Sequence, residues 1–315
     1  VTPVVLIEDP DDRRLDLYRN LTDAELRQRE EPLAGVFMVE GPAVIRQLLR
    51  SQYPVRSMLL TASRLDELGS DLTAVTAAPA ESDWPVYVAS NEVMRAVTGF
   101  HFHRGALAVA GRRPRADWRD LVAGHRVVAV AEDVGDHENM GALFRNAAGL
   151  GVGAVLLSPG SVDPLYRRAV RVSMGQVLRV PWARAAPWPD ALVELRQLGF
   201  RILALTPDPA APPLAEVLTG VPATDTDPAP PRGSVGPSPA GPLGPSSAEA
   251  VGPSAARVWD RVAVLLGAEG SGLTAAARAR ADQEARIPMT PHVDSLNVAT
   301  AAAIAFYELF RHTPR

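Results

Sequence analysis

The sequence predicts an α/β protein with a small N-terminal α/β unit followed by a larger unit built on a parallel sheet. From Val127 onward, apolar strand-like runs alternate with helical segments, the order expected when helices pack on a parallel sheet. Before residue 114 a shorter series of apolar runs describes a compact unit of its own. At 315 residues, with 47% apolar and 22% charged content, the chain is long enough for two such units. The organisation read from these patterns is 1–113, a linker at 114–126, and 127–315.

Residues 1–30 are charged and read as mostly helical, with the polar run Asp23 to Glu31 ending at Pro32. Val36 to Glu40 reads as a strand before Gly41, and Pro42 to Arg50 as a helix carrying Val44, Ile45, Leu48 and Leu49 at helical spacing. Further strands are expected at Val55 to Leu60, Val86 to Val88 and Ala106 to Ala110.

In the second unit, strand Val127 to Ala131 leads to a helix that begins near Asn139 and is stopped by Gly149 and Gly151. Strand Val152 to Leu157 follows. Asp163-Pro164 supplies an N-cap and a first-turn proline for a helix containing Arg167 and Arg171. Then come a short strand Val177 to Val180, a helix Pro189 to Leu198, and strands Arg201 to Leu205 and Arg261 to Leu266. Between the last two, residues 221–256 are rich in Pro, Gly, Ser and Ala with scarcely a bulky apolar side chain, which predicts a flexible insertion. Ser295 is a suitable N-cap for a final Ala-rich helix from Leu296 to Phe310.

Composition excludes several classes. The absence of cysteine removes disulfides and thiolate metal sites. His101 and His103 would share one strand face, yet they have no carboxylate partner nearby, and no metal is expected. Neither a charged-then-apolar leader at Val1 nor an apolar run long enough to span a bilayer is found, so a cytoplasmic protein without a membrane partner is expected. The glycine clusters at 149–153 and 267–272 lack the G-x-G-x-x-G spacing of a dinucleotide fold, and no G-x-S-x-G elbow occurs. All 32 basic residues are arginine, whose guanidinium pairs with phosphate and stacks on bases, but the net charge of −4 confines any nucleic-acid contact to local clusters. Candidates are Arg112, Arg113 and Arg115, and Arg167, Arg168 and Arg171; each also reads as solvated surface.

Three segments carry the functional signal. Glu138-Asn139-Met140-Gly141-Ala142-Leu143-Phe144-Arg145-Asn146-Ala147 and Leu265-Leu266-Gly267-Ala268-Glu269-Gly270-Ser271-Gly272-Leu273 are strand–loop–helix junctions. The third combines Ile287-Pro288-Met289 with Ser295-Leu296-Asn297. Together and in this order they closely resemble the three motifs of the SpoU (TrmH-like) RNA ribose 2′-O-methyltransferases, a branch of the SPOUT superfamily. The likeness covers roughly residues 125–311, and a fainter one to the family's RNA-binding N-terminal domain covers 30–110, including Gly41 and His103-Arg104-Gly105.

The resemblance implies a SPOUT-type parallel-sheet domain with a C-terminal trefoil knot, preceded by a small substrate-binding domain. It implies a homodimer that methylates a ribose 2′-oxygen of rRNA or tRNA. S-adenosylmethionine would lie where the loops at Leu157-Ser158-Pro159, Gly267 to Gly270, Ile287 to Met289 and Ser295 to Asn297 converge, held around Leu157, Gly267, Ile287 and Leu296. Glycines 267 and 270 would let backbone approach the cofactor. Asn139 and Arg145 fall on the first motif, Glu269 on the second, and Ser295 and Asn297 on the third, as the catalytic set.

A guanidinium stays protonated, with a pKa above about 12, which favours Arg145 as a cationic donor to developing alkoxide over a general base. Glu269, beside glycines at an expected helix start, reads either as catalytic or as an acceptor of backbone N–H groups. The chain departs from the family pattern at Asp136-His137-Glu138-Asn139, where Asp-Pro is common, and at Thr290-Pro291-His292-Val293-Asp294, a stretch that often contains Gly. The alternative is a catalytically silent RNA-binding or ribosome-assembly protein on the same fold, against which the intact Asn139, Arg145, Ser295 and Asn297 stand.

Overall fold

A computed structural model describes residues 3–21, 24–76, 83–99, 105–114, 116–220, 260–290 and 292–312. His101, His103, Arg115 and the insertion at 221–256 lie outside them.

The first unit runs β1 (Val4–Ile7), α1 (Ala24–Leu33), β2 (Val36–Glu40), α2 (Pro42–Leu49), β3 (Val55–Leu60), α3 (Ala62–Thr76), β4 (Val86–Ala89), α4 (Asn91–Thr98) and β5 (Ala106–Gly111). Its strands form one mixed sheet in the order β1-β4-β3-β5-β2. Strand β1 corrects the helical reading of residues 1–30: the apolar run Val4–Ile7 pairs in parallel with Val86–Ala89, a partner some eighty residues away.

The second unit runs α5 (Trp118–Val122), β6 (Val127–Ala131), α6 (His137–Gly149), β7 (Ala154–Leu157), α7 (Arg167–Val172), β8 (Trp182–Arg184), α8 (Ala191–Gln197), β9 (Arg201–Leu205), α9 (Leu214–Thr219), β10 (Val262–Leu266), α10 (Ala275–Arg278), β11 (Gln283–Ala285) and α11 (Val298–His312). Its sheet has the order β11-β9-β10-β6-β7-β8. Every neighbouring pair in it is parallel.

The apolar runs are continuous because both sheet faces are covered. In β6, Val127, Ala129 and Ala131 face one core, and Val128 and Val130 face the other. In β10, Val262, Val264 and Leu266 join the first, while Ala263 and Leu265 join the second. The second core is closed by Trp118 and Val122 of α5 and by Leu192 and Leu195 of α8. The stretch expected to be a linker therefore contains a helix packed on the sheet.

Three other local expectations are corrected. Helix α7 starts at Arg167, because Asp163 accepts from the Leu165 N–H at 3.0 Å and holds a turn there instead. Residues Gln176–Leu178 form a 3-10 turn, and the strand follows at Trp182–Arg184. Helix α6 begins two residues before Asn139, its N-terminus capped by Asp136, which accepts from the N–H groups of Glu138 and Asn139.

One continuous apolar core joins the two units. It runs from Phe37, Met58 and Val86 of the first sheet, through Val44, Ile45 and Leu48 of α2, to Val155, Phe144 and Phe306. Helices α6 and α7 pack so closely that a Cβ on Gly141 would lie 2.7 Å from the Ala169 carbonyl oxygen. At the unit boundary, Arg167 donates to Glu40 at 2.8 Å and to the Leu21 carbonyl at 2.9 Å, with Arg171 3.8 Å from the other Glu40 oxygen. Arg112 pairs with Asp163 at 2.6 Å. Arg112, Arg167 and Arg171, expected as RNA-contact candidates, are thus engaged in joining the units.

Glu40 is only 4% exposed and is paired with these arginines across the boundary. Arg167→Ala is predicted to destabilise the protein by about 3 kcal/mol, the scale of leaving a buried charge uncompensated. Urea denaturation checks it, and a loss below about 1 kcal/mol would contradict the clamp.

Candidate functional site

Because the second sheet is wholly parallel, the carboxyl ends of its strands share one edge, where open α/β sheets place their ligand crevices. There, residues following β9, β10 and β11 and the approach to α11 enclose a cavity of about 290 Å³. Leu205, Leu266, Ile287 and Leu296 give it apolar walls, and Glu269, Ser295 and Asn297 supply polar groups.

A run of side-chain amides ties the segments together. Asn297 Oδ1 accepts from the N–H groups of Ala299 at 2.9 Å and Thr300 at 3.2 Å. Its Nδ2 donates to Asn139 Oδ1 at 2.6 Å, and Asn139 Nδ2 donates to Glu269 Oε1 at 2.7 Å. The other Glu269 oxygen accepts from the Gly135 N–H at 3.3 Å. The direction of this run is forced from both ends, since backbone N–H groups only donate and a carboxylate only accepts. Neither amide can flip without facing like against like. Asn146, two turns along α6 from Asn139, donates to the Ala299 carbonyl at 2.7 Å and holds α6 to the start of α11.

The β10–α10 loop is built by its own backbone. A Cβ on Gly267 would sit 2.4 Å from Gly272 C and Leu273 N, so only glycine permits the loop to fold back on itself. Gly270 has φ +86°, a left-handed conformation. These glycines therefore let the loop close on itself at the wall of the cavity. The far end of the loop is fixed by buried Glu132, which accepts from Thr274 N and Oγ1, both at 2.8 Å, and from Trp188 Nε1 at 2.7 Å. Thr274 in turn caps α10.

The structure brings together most of the expected residues. Gly267, Glu269, Ile287, Ser295, Leu296 and Asn297 line the cavity, and Asn139 contacts it through Glu269 and Asn297. Leu157 does not line it: its side chain is fully buried in the apolar core at the end of β7. The N-cap of α11 is Asn297, not Ser295, because the Asn297 side chain is the one that reaches the first free N–H groups. Ser295 is exposed and makes no hydrogen bond among the described residues. Glu269 lies in a turn well before α10, not at a helix start.

Arg145 is exposed, has no hydrogen-bond or ion-pair partner among the described residues, and does not line the cavity. Six residues at 100° each place it about 120° around α6 from Asn139. It therefore stands apart from the cavity that Glu269, Ser295 and Asn297 line. His137, in the place where the resembled family often has proline, packs on the Tyr166 ring with centroids 4.4 Å apart. Burial holds its imidazole below the usual histidine range, partly opposed by Asp136 and Asp163.

Asn146 and Leu205 to Pro207 were not singled out from the sequence. The seven-residue spacing from Asn139, and a proline closing an apolar strand, were the available signals. Among the described residues there is no cluster of three or more His, Asp or Glu side chains suited to a metal, and no helix long and apolar enough to cross a membrane.

Residues 126–307 match the SpoU rRNA Methylase family. A tRNA/rRNA methyltransferase of Mycobacterium tuberculosis, named as uncharacterized, is 45% identical over 303 residues, covering 96% of this chain and 90% of that protein. A 23S rRNA (guanosine(2553)-2′-O)-methyltransferase of Bacillus subtilis is 23% identical over 282 residues, covering 90% and 91%. The structure of an AdoMet-bound rRNA methyltransferase from Sinorhizobium meliloti superposes with a TM-score of 0.72 at 20% identity, covering 99% of both chains. The AdoMet complex of the SpoU methyltransferase AviRb from Streptomyces viridochromogenes gives 0.67 at 19% identity, covering 95% of this chain and 97% of that one.

Asn297 both caps α11 and donates to Asn139. Asn297→Ala is predicted to cost about 1–2 kcal/mol of stability, the range of a lost side-chain cap. Asn297→Asp, which keeps an acceptor for the two N–H groups, should recover most of the cap contribution. Chemical denaturation of both variants checks this; equal losses would show that the cap contributes little.

Proposed function

From the premise that the chain belongs to the SpoU rRNA methylase family, we propose that the cavity beside Asn297 is where it binds S-adenosylmethionine for methyl transfer to a ribose 2′-oxygen of rRNA or tRNA. The observation that carries this reading is the hydrogen-bonded run Asn297–Asn139–Glu269, which joins all three motif segments at one cavity. The residues present fit the cofactor: apolar walls suit an adenine ring, and exposed backbone and polar groups at the rim suit its ribose and charged tail. When bound, it supplies an electrophilic sulfonium methyl.

The protein's part is positioning and electrostatics. Gly267, Ile287 and Leu296 shape the walls, with Leu205 completing them. Both carboxylate oxygens of Glu269 accept hydrogen bonds, so its role is to hold the first motif against the second. Asn139 and Asn297 are fixed by the run they form, and the Ser295 hydroxyl at the rim is available to the RNA. Arg145 is the cation that stabilises the 2′-oxygen as its proton leaves and orients neighbouring phosphate.

Arg145 does not line its own chain's cavity, and a site in which it acts is completed by a second copy. The proposal therefore includes a homodimer, with α6 and the exposed Tyr307 and Phe310 of α11 at the contact. It also includes a C-terminal trefoil knot, an N-terminal domain at 1–113 that binds RNA, and work in the cytoplasm. Light scattering should return a dimer at micromolar concentration, and a fully active monomer would contradict this. A crystal structure with bound cofactor reads the knot and the place of Arg145 together.

The reading is tested by incubating the protein with isotope-labelled S-adenosylmethionine and total RNA, followed by nucleoside mass spectrometry. A labelled 2′-O-methylnucleoside is expected; cofactor binding with no labelled RNA would favour a silent RNA-binding protein. Arg145→Ala is predicted to keep the fold and cofactor affinity while methyl transfer falls about 100-fold or more. Saturating RNA should not restore the rate, because the lost interaction belongs to the transition state. Full recovery in single-turnover kinetics at high RNA would instead make Arg145 a binding residue.

A further inference from the structure

We propose that a groove between the two units binds the phosphate backbone of an RNA segment remote from the methylated nucleotide, an inference that rests on the function proposed above. The groove encloses about 600 Å³ and is lined by Arg50, Arg112, Arg113 and Arg179, with Tyr53 and Trp182 among its walls. Among the described residues no aspartate or glutamate lines it, in a chain whose net charge is −4.

Several arginines elsewhere are matched by carboxylates: Arg46 by Asp71 at 2.9 Å, Arg119 by Glu194 at 2.6 Å, Arg278 by Glu284 at 2.7 Å. In the groove the matching breaks down. Arg112 is held by Asp163 and forms fixed wall. Arg113 donates only to the neutral Gln52 side-chain oxygen, Arg50 is 3.6 Å from Asp71, and exposed Arg179 has no partner among the described residues. A concave, water-accessible surface with uncompensated guanidinium groups and aromatic walls is the chemistry that binds single-stranded polyanionic backbone.

Its place defines the substrate further. The groove adjoins Val180 to Trp182 at the amino end of β8, on the outer edge of the sheet. The cofactor cavity lies at the carboxyl ends of β9 and β10, separated from it by two intervening strands and by a strand length of roughly 16 Å. RNA that occupies both therefore touches the protein well away from the methylated nucleotide.

The experiment measures fluorescence anisotropy of a labelled oligouridylate across a KCl titration, with the intact chain and with the double variant Arg113→Gln/Arg179→Gln. Loss of two phosphate contacts should weaken binding about tenfold or more and lower the slope of log K against log salt by about 1.4, at roughly 0.7 per phosphate. S-adenosylmethionine affinity should not change, and Arg113→Lys/Arg179→Lys should keep the slope. With folded ribosomal RNA as methyl acceptor, the Gln variant should raise KM and leave kcat intact. Unchanged affinity and slope would overturn the proposal, as would polyglutamate binding as tightly as RNA and losing as much, which would mark an acidic-protein site. If the intact protein transfers no methyl to any RNA, the proposed function fails, while the oligouridylate titration still judges the groove.

Discussion

Two carboxamides and one carboxylate decide the geometry of the candidate site. Asn139 lies more than a hundred residues from both Glu269 and Asn297, and the hydrogen bonds it makes with them have only one allowed direction. Each group also does local work: Asn297 caps α11, Asn139 lies in the first turn of α6, and Glu269 receives the Gly135 N–H. The run therefore couples the starts of two helices to a glycine loop that has no room for any side chain at 267. Displacing one member moves the others.

This precision rests on a stiff base. The parallel sheet is covered on both faces, and its first core continues into the N-terminal sheet through α2. Glu40 and Asp163 anchor arginines across the same boundary. The N-terminal unit and the arginine groove are thereby held in fixed relation to the cavity.

Much of this was legible in the sequence. Val127–Ala131 and Val262–Leu266 could be read because strands buried on both faces are apolar throughout. The three motif segments could be read because their chemistry is local. What escaped depends on distant partners. Val4–Ile7 becomes a strand only because Val86–Ala89 accepts it. Ser295 and Asn297 are both good cap residues, and the choice between them is set by Asn139, far away in the chain. Leu157 follows the strand pattern into the core, which no motif spacing indicates, and Arg145 lies about 120° around α6 from Asn139 and does not line the cavity. Hydrogen bonding explains what holds the motif residues together.

The central claim is that Asn139 and Asn297 act as one unit. A double-mutant cycle with Asn139→Ala, Asn297→Ala and the double variant, read as both unfolding free energy and S-adenosylmethionine affinity, tests it most directly. The account predicts non-additivity of about 1 kcal/mol or more, as for residues in one hydrogen-bond network. Additive effects in both readouts would contradict it, and would mean that the three segments are placed independently by the fold.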